Sequence, residues 1–124
     1  MERRILVIDD NAVTAKLTEA SLRREGHVVI IVNCGAAARK VLARETVDLI
    51  LMDIQLRDAT GIALIKQIRS RPQTSNVPVL VLTAETSLSI ANSTRDSGAN
   101  GYLVKPCPLA ALIKRVEELL FDAA

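Results

Sequence analysis

The chain has 124 residues, enough for one domain that buries roughly two-thirds of its unfolded surface and too few for two. Hydrophobic residues make up 49% but aromatics only 2%, so the core must be filled by Ile, Leu, Val and Ala, the usual filling of strands covered by helices on both faces. The formal charge of +2 comes from Arg spread along the chain, at positions such as Arg3, Arg23, Arg39, Arg57, Arg71, Arg95 and Arg115, and with Tyr102 and Phe121 as its aromatics this excludes the clustered, aromatic-studded face of a nucleic-acid binder.

Met1-Glu2-Arg3-Arg4 leads straight into an apolar run, Ile5-Leu6-Val7-Ile8, that ends in Asp9-Asp10. There is no signal-peptide core and no apolar stretch near the ~20 residues a membrane span needs, so a cytoplasmic protein without membrane contact is expected. The first helix is predicted from Ala12 to Glu25, with Asn11 or Asp10 as its cap, Val13, Leu17 and Ala20 facing inward, and Gly26 as its left-handed stop. Strand two follows at His27 to Val32, with His27 expected as an exposed or half-buried structural residue. Helix two spans Ala36 to Arg44, with Ala37, Val41 and Leu42 inward. Strand three covers Asp48 to Asp53.

Gly61 to Arg71 reads as helix three, carried by Leu64, Ile65 and Ile68 and stopped by Pro72. Pro78 opens strand four, which runs through Val79-Leu80-Val81-Leu82 into Thr83. Helix four, Thr86 to Ser97 ahead of Gly98, is rich in Ser, Asn and Thr, which compete for backbone hydrogen bonds; it should be the least stable helix. Strand five, Tyr102-Leu103-Val104, ends in Lys105-Pro106. Helix five starts with Pro108 in its first turn and shows Leu109, Leu112, Ile113, Val116, Leu119 and Leu120 as one amphipathic stripe. Cys34 and Cys107 are too few and too isolated for a disulfide framework or a zinc site, and read as free thiols after opposite edge strands.

Strict alternation of strands and helices specifies βαβ units. The expected fold is α/β, a flavodoxin-like (βα)5 three-layer sandwich over residues 1–124, with a parallel five-stranded sheet in the order 2-1-3-4-5. Ligands of such sheets bind outside the carboxyl ends of the strands. Asp9, Asp10, Asp53, Thr83 and Lys105 all stand at those ends. Carboxylates crowded this closely repel by ~4 kcal/mol per pair at 4 Å and an effective dielectric near 20, so a cation must compensate. Mg2+ suits an all-oxygen set: Asp10 and Asp53 directly, Asp9 through bound water, and the backbone carbonyl of Gln55. Asp53, at the tip of a central strand, is the candidate nucleophile for phosphoryl transfer, with Lys105 and Thr83 placed to meet phosphoryl oxygens.

The chain resembles the receiver domain of two-component response regulators over essentially its whole length. The resemblance rests on Asp9-Asp10 after strand one, Asp-Ile-Gln-Leu at 53 to 56 with Gly61 further on, Leu-Thr-Ala at 82 to 84, and Gly-Ala-x-Gly-Tyr-Leu-Val-Lys-Pro at 98 to 106. It implies that Asp53 is the phosphoacceptor, Asp9 and Asp10 the acid pair for Mg2+, Thr83 the switch hydroxyl, Tyr102 the switch aromatic and Lys105 the phosphate-contacting lysine. It also implies a cis bond between Lys105 and Pro106. The implied donor is a phosphohistidine on a sensor histidine kinase or a histidine phosphotransfer protein, and the implied output is a protein target on the face of helix four, strand five and helix five. On this reading the protein is a signalling phosphoacceptor rather than an enzyme, limited to self-catalysed phosphotransfer and autodephosphorylation.

Arg57 stands where the family commonly has Pro, Ala59 and Thr60 where it often has Met and Asp or Asn, and Cys107 where a larger apolar residue is common. Gln55 and Glu85 occupy positions that influence dephosphorylation in the family. Because the chain ends shortly after Leu120, signalling is expected to proceed by binding or by relay, as in stand-alone receivers of the chemotaxis or cell-cycle type. An excised hybrid-kinase receiver would read the same, and Asp-Asp-Asn at 9 to 11 is common there.

Other classes fit less well. A haloacid-dehalogenase-type phosphatase resembles Asp-x-Asp after strand one rather than adjacent acids, and carries a cap insertion. A flavin-binding flavodoxin-like domain needs a phosphate loop that Asp9-Asp10 would repel, and stacking aromatics. A receiver-like module that docks without being phosphorylated is the remaining alternative, and loss of Mg2+ binding at Asp10 and Asp53 would favour it.

Overall fold

The computed structural model describes residues 2–56, 58, 60–84 and 86–123. Its strands are β1 (Arg4–Ile8), β2 (Val28–Val32), β3 (Leu49–Asp53), β4 (Val79–Thr83) and β5 (Gly101–Val104); its helices are α1 (Ala12–Arg24), α2 (Gly35–Arg44), α3 (Gly61–Ser70), α4 (Leu88–Asp96) and α5 (Leu109–Ala123). All strand pairs are parallel, in the order β2-β1-β3-β4-β5. Alternate residues of each strand point to opposite faces, so Ile5, Val7, Leu49, Leu51, Leu80 and Leu82 join Leu22 of α1 and Leu112, Val116, Leu119 and Leu120 of α5 in one core. Leu6, Ile8, Ile50, Met52, Val79 and Val81 join Ala38 of α2 and Leu64, Ile65 and Ile68 of α3 in the other. Both faces of the sheet are covered, which explains why its strands read as unbroken apolar runs.

The inner face of α1 departs from the expected one. Val13 is 71% and Leu17 56% exposed and Ala20 is exposed, whereas Ala15, Thr18 and Leu22 are buried. At about 100° per residue the two sets form stripes on nearly opposite sides of the helix, and periodicity cannot choose between them. Packing does: the small Ala15 and Thr18 let the helix axis approach the sheet, and Leu22 fills the end of the core. In α2 the buried residues are Gly35 and Ala38 rather than Ala37, with Val41 and Leu42 partly buried as expected. Leu109 lies exposed at the start of α5, outside the stripe continued by Leu112. His27 is buried, not exposed: Gly26, at φ +92°, turns the chain directly into the sheet, and the ring donates or accepts through Nε2 at 2.9 Å from Glu117 Oε1 of α5.

Three helices start on a side-chain cap, and Asn11 is one of the two candidates expected for α1. Asn11 Oδ1 accepts from Thr14 N, Thr60 Oγ1 from Ala63 N and Ser87 Oγ from Ile90 N, each satisfying an orphan donor of a helix start. Helix α2 differs, because Cys34 at its N-cap makes no side-chain capping bond. Asp58, from the loop after β3, serves instead: its carboxylate accepts from Gly35 N at 2.7 Å and Ala36 N at 3.0 Å. Those two bonds hold the Asp58 carboxyl below its usual 3.8.

Two loops at the amino-terminal edge of the sheet are joined by Arg69. Its guanidinium donates to the carbonyls of Thr74, Ser75 and Val77 ahead of β4, to the carbonyl of Gly98, and to Asn100 Oδ1 ahead of β5. Asn100 in turn pairs with Val79 through its backbone N–H and its side chain.

The start of α3 admits no side chain at Gly61. An added Cβ would stand 2.5 Å from Ile54 Cα and 3.1 Å from Asp53 O. Gly61→Ala is therefore expected to destabilise the fold by about 1–3 kcal/mol, the usual cost of overpacking, read as a lower urea midpoint at unchanged slope.

Candidate functional site

The register of the sheet brings the polar strand ends together. Ile8 pairs with Met52, so Asp9 follows β1 beside Asp53, the last residue of β3. Asp53 pairs with Leu82, and Thr83 at the end of β4 pairs with Val104, after which comes Lys105. Asp9, Asp10 and Asp53 each offer a carboxylate oxygen, and these oxygens lie within 4.8 Å of one another. Asp9 is buried, Asp53 half-buried and Asp10 exposed, so the trio opens to solvent on the Asp10 side.

Lys105 closes the other side. Its Nζ lies 3.0 Å from Asp9 Oδ2 and 3.2 Å from Asp53 Oδ2. To reach Asp53 it must cross β4, a backbone separation of about 10 Å, which its four-carbon stem and the aspartate side chain together span. Burial draws the ammonium down, but the hydrogen bond to Asp9 and the charges of Asp53 and Asp9 outweigh it, so Lys105 titrates above its usual 10.5. The Lys105–Pro106 peptide is cis.

Local turns orient the acids. Asp9 Oδ1 accepts from Asn11 N, and Asp53 Oδ1 from Gln55 N, both at 2.9 Å. Each is a side chain bonding the backbone two residues on, which aims the carboxylate without a distant partner. Asp9 and Asp53 each have both oxygens engaged in this way, and Asp9, the more buried of the two, is the better suited to reach a cation through water. A cluster of hard oxygens open on one side fits a divalent cation such as Mg2+, which keeps several of its waters. No thiol or imidazole belongs to the cluster.

Thr83 is fully buried at the end of β4. Tyr102, on the edge strand, is half-buried at the margin of the core that α2 and α3 cover, and lines a cavity of about 290 Å³ between α4 and β5 together with Thr94, Arg95 and Ala99. Thr83 and Tyr102 stand on adjacent strands, in register at Val81↔Tyr102. Cys107 packs at the margin of the α1–α5 core, and Cys34 and Cys107 are both free. Arg57, Ala59 and Glu85 lie outside the described residues. Sequence reasoning passed over Asp58 and Arg69, whose partners are backbone groups of distant segments and leave no local pattern.

Residues 5–117 match the model of the response regulator receiver domain. Among curated proteins, the chain is 31% identical to the TorCAD operon transcriptional regulatory protein TorR of Escherichia coli, covering 98% of this chain and 51% of TorR. It is 33% identical to the CAI-1 autoinducer sensor kinase/phosphatase CqsS of Vibrio cholerae, covering 93% of this chain and 17% of CqsS. The chain thus spans about half the length of the first relative and a smaller share of the second. Among solved structures, the receiver domain of a sensor histidine kinase from Pseudomonas aeruginosa PAO1, with magnesium ion coordinated in the active site cleft, superposes with a TM-score of 0.89 at 31% identity, covering 97% of this chain and 98% of that one.

Proposed function

This chain belongs to the response regulator receiver domain family of two-component signalling, and on that premise we propose that residues 1–124 form one receiver domain that takes a phosphoryl group from a phosphohistidine onto Asp53. The observation that carries the reading is the Lys105 ammonium held between the Asp9 and Asp53 carboxylates at the strand ends, beside an acidic trio. An Asp53 oxygen forms the new O–P bond while the P–N bond of the donor breaks and its electron pair returns to the imidazole. No proton is needed at the carboxylate, so the site must supply position and charge stabilisation rather than general acid–base chemistry.

Lys105 is placed to neutralise one phosphoryl oxygen, and Thr83 to donate a hydrogen bond to another. Asp10, Asp53 and the Gln55 carbonyl would hold Mg2+, with Asp9 reaching it through water. When bound, the ion supplies charge compensation for the carboxylates and the incoming phosphoryl group. The magnesium in the cleft of the related kinase receiver supports this assignment. After transfer, Thr83 moves towards the phosphoryl group and the Tyr102 ring turns inward, reshaping the face of α4, β5 and α5 for a protein target. Such a change is a population shift bounded by the contacts it gains. The domain turns over no separate substrate: it is a phosphoacceptor that catalyses its own modification and loss of it.

The donor side has its own surface. Leu17, exposed on α1, lines an apolar cleft of about 430 Å³ with Leu109, Pro106 and Cys107, and Lys105 borders the same cleft. An apolar surface running up to the acidic edge supports a protein donor, a histidine kinase or a phosphotransfer protein. Leu17→Glu is expected to slow transfer from a phosphorylated protein donor about tenfold or more, as for loss of an interface anchor. The rate with a small phosphodonor should stay unchanged. No described helix is long and apolar enough to cross a membrane.

The direct test is intact mass after incubation with a small phosphodonor and Mg2+. One phosphoryl adduct that disappears with EDTA supports the reading. A folded chain with no adduct from either a small or a protein donor would make it a docking module instead.

A further inference from the structure

The loop that links Asp53 to α3 is held at two levels. At its stem, Gln55 and Thr60 form an antiparallel bridge, and Gly61 N donates to Ile54 O at 2.8 Å. At its tip, Asp58 grips the start of α2 through Gly35 N and Ala36 N. The grip is charge-assisted and sits on the positive end of a helix dipole, so it is a strong form of such a contact. It is also needed there, because Cys34 leaves the first turn of α2 uncapped by its own side chain.

The start of α2 is itself tied to the acidic edge. It follows β2, whose Val32 accepts from Asp9 N at 3.1 Å, and Val32 and Asn33 line a cleft with Asp9 and Asp10. The Asp58 carboxylate joins the loops after β2 and β3, and the backbone bond from Asp9 N to Val32 O carries the connection to the loop after β1. Gln55 N, which aims Asp53, and the Gln55 carbonyl both belong to the stem of the pinned loop.

We propose that Asp58 is a positioning residue for the cation site: by fastening the loop after β3 to the start of α2, it fixes the Gln55 peptide and the Asp53 carboxylate relative to Asp9 and Asp10. The inference rests on the receiver reading above, in particular on Mg2+ binding by Asp10, Asp53 and the Gln55 carbonyl. Asp58 touches neither the trio nor Lys105, so its effect reaches the site only through the loop.

The test is Mg2+ affinity by calorimetry on wild type, Asp58→Ala, Asp58→Asn and Lys40→Gly, with thermal unfolding of each. Asp58→Ala should weaken Mg2+ binding by about threefold to tenfold, less than the loss of a group that bonds a metal ligand directly, because Asp58 acts through the loop. Asp58→Asn, which keeps one acceptor oxygen, should fall between it and wild type. Lys40→Gly weakens α2 at an exposed position without touching the loop and should leave the affinity unchanged. If Asp58→Ala lowers the unfolding temperature but not the affinity, Asp58 is only a helix cap and the inference fails while the receiver reading stands. Equal losses in Asp58→Ala and Lys40→Gly would likewise overturn it, by assigning the effect to α2 stability. A folded wild type that binds no Mg2+ would remove the receiver reading, and this inference with it.

Discussion

Asp53→Ala is expected to leave a folded protein that gains no phosphoryl group, from a small donor or a protein donor, at any Mg2+ concentration. The three acids are not equivalent as nucleophiles. Asp9 is buried, whereas Asp53 is half-buried and open to an incoming donor, although in each one oxygen accepts from a backbone N–H and the other from Lys105. Asp10 is exposed on the loop after β1. Asp53 is itself the last residue of an interior strand, paired with Leu82, whereas Asp9 and Asp10 follow the end of theirs, and fixed geometry is the main contribution a protein makes to phosphoryl transfer. Loss of the adduct in intact mass should therefore be complete rather than partial. A residual adduct at a tenth or so of the wild-type yield would place the chemistry on Asp9 or Asp10. Removing one of three crowded carboxylates also relieves repulsion, which offsets the lost pairing with Lys105, so the variant should unfold near the wild-type temperature.

Lys105→Met should separate binding from chemistry by moving them in opposite directions. The ammonium competes with any bound cation for Asp9 and Asp53, and its removal should tighten Mg2+ binding by roughly threefold to tenfold. The same removal takes away a preorganised positive charge from the transferring phosphoryl group, and the rate of phosphorylation should fall by about 100-fold. If affinity and rate fall together, Lys105 supports the fold rather than the reaction. The pH dependence follows from its raised titration. A lysine that titrates higher in the folded chain stabilises fully below its unfolded value of 10.5 and loses that contribution only as pH rises through the higher folded value. The stability difference between wild type and Lys105→Met should thus be flat over about pH 6 to 9 and shrink only above that range.

The polar strand ends were legible because parallel strands buried on both faces must be apolar throughout, so each run stops abruptly where the chemistry begins. Ile8 to Asp9, Met52 to Asp53, Leu82 to Thr83 and Val104 to Lys105 are all such stops. The buried stripe of α3 was legible for a related reason: Leu64, Ile65 and Ile68 are the large residues of a helix with a single apolar side. Helix α1 has two, and the wrong one carries the larger side chains, so size misled where packing distance decided. His27 was misjudged because its burial depends on α5, nearly ninety residues away in the chain, and on the partner that Glu117 provides there. Asp58 and Arg69 act on backbone N–H and C=O groups, which every residue has, and so no residue type at the far end could announce the contact.

Arg69 gives β4 and β5 two ends of different character. At the carboxyl end, Asp9, Asp53 and Lys105 are joined through charge, which a change of ligand or protonation can rearrange. At their amino end, one guanidinium satisfies carbonyls of Thr74, Ser75, Val77 and Gly98 together with Asn100, a network built without a carboxylate. Gly98, at φ +108°, holds a backbone conformation that favours glycine, and an added Cβ would stand 3.0 Å from Arg69 Cγ, so the arginine stem would have to yield to it. Residues 69, 98 and 100 therefore constrain one another as a unit of shape, through the bonds of Arg69 to Gly98 and Asn100. That opposite hem of the sheet holds β4 and β5 in register beneath the acidic edge.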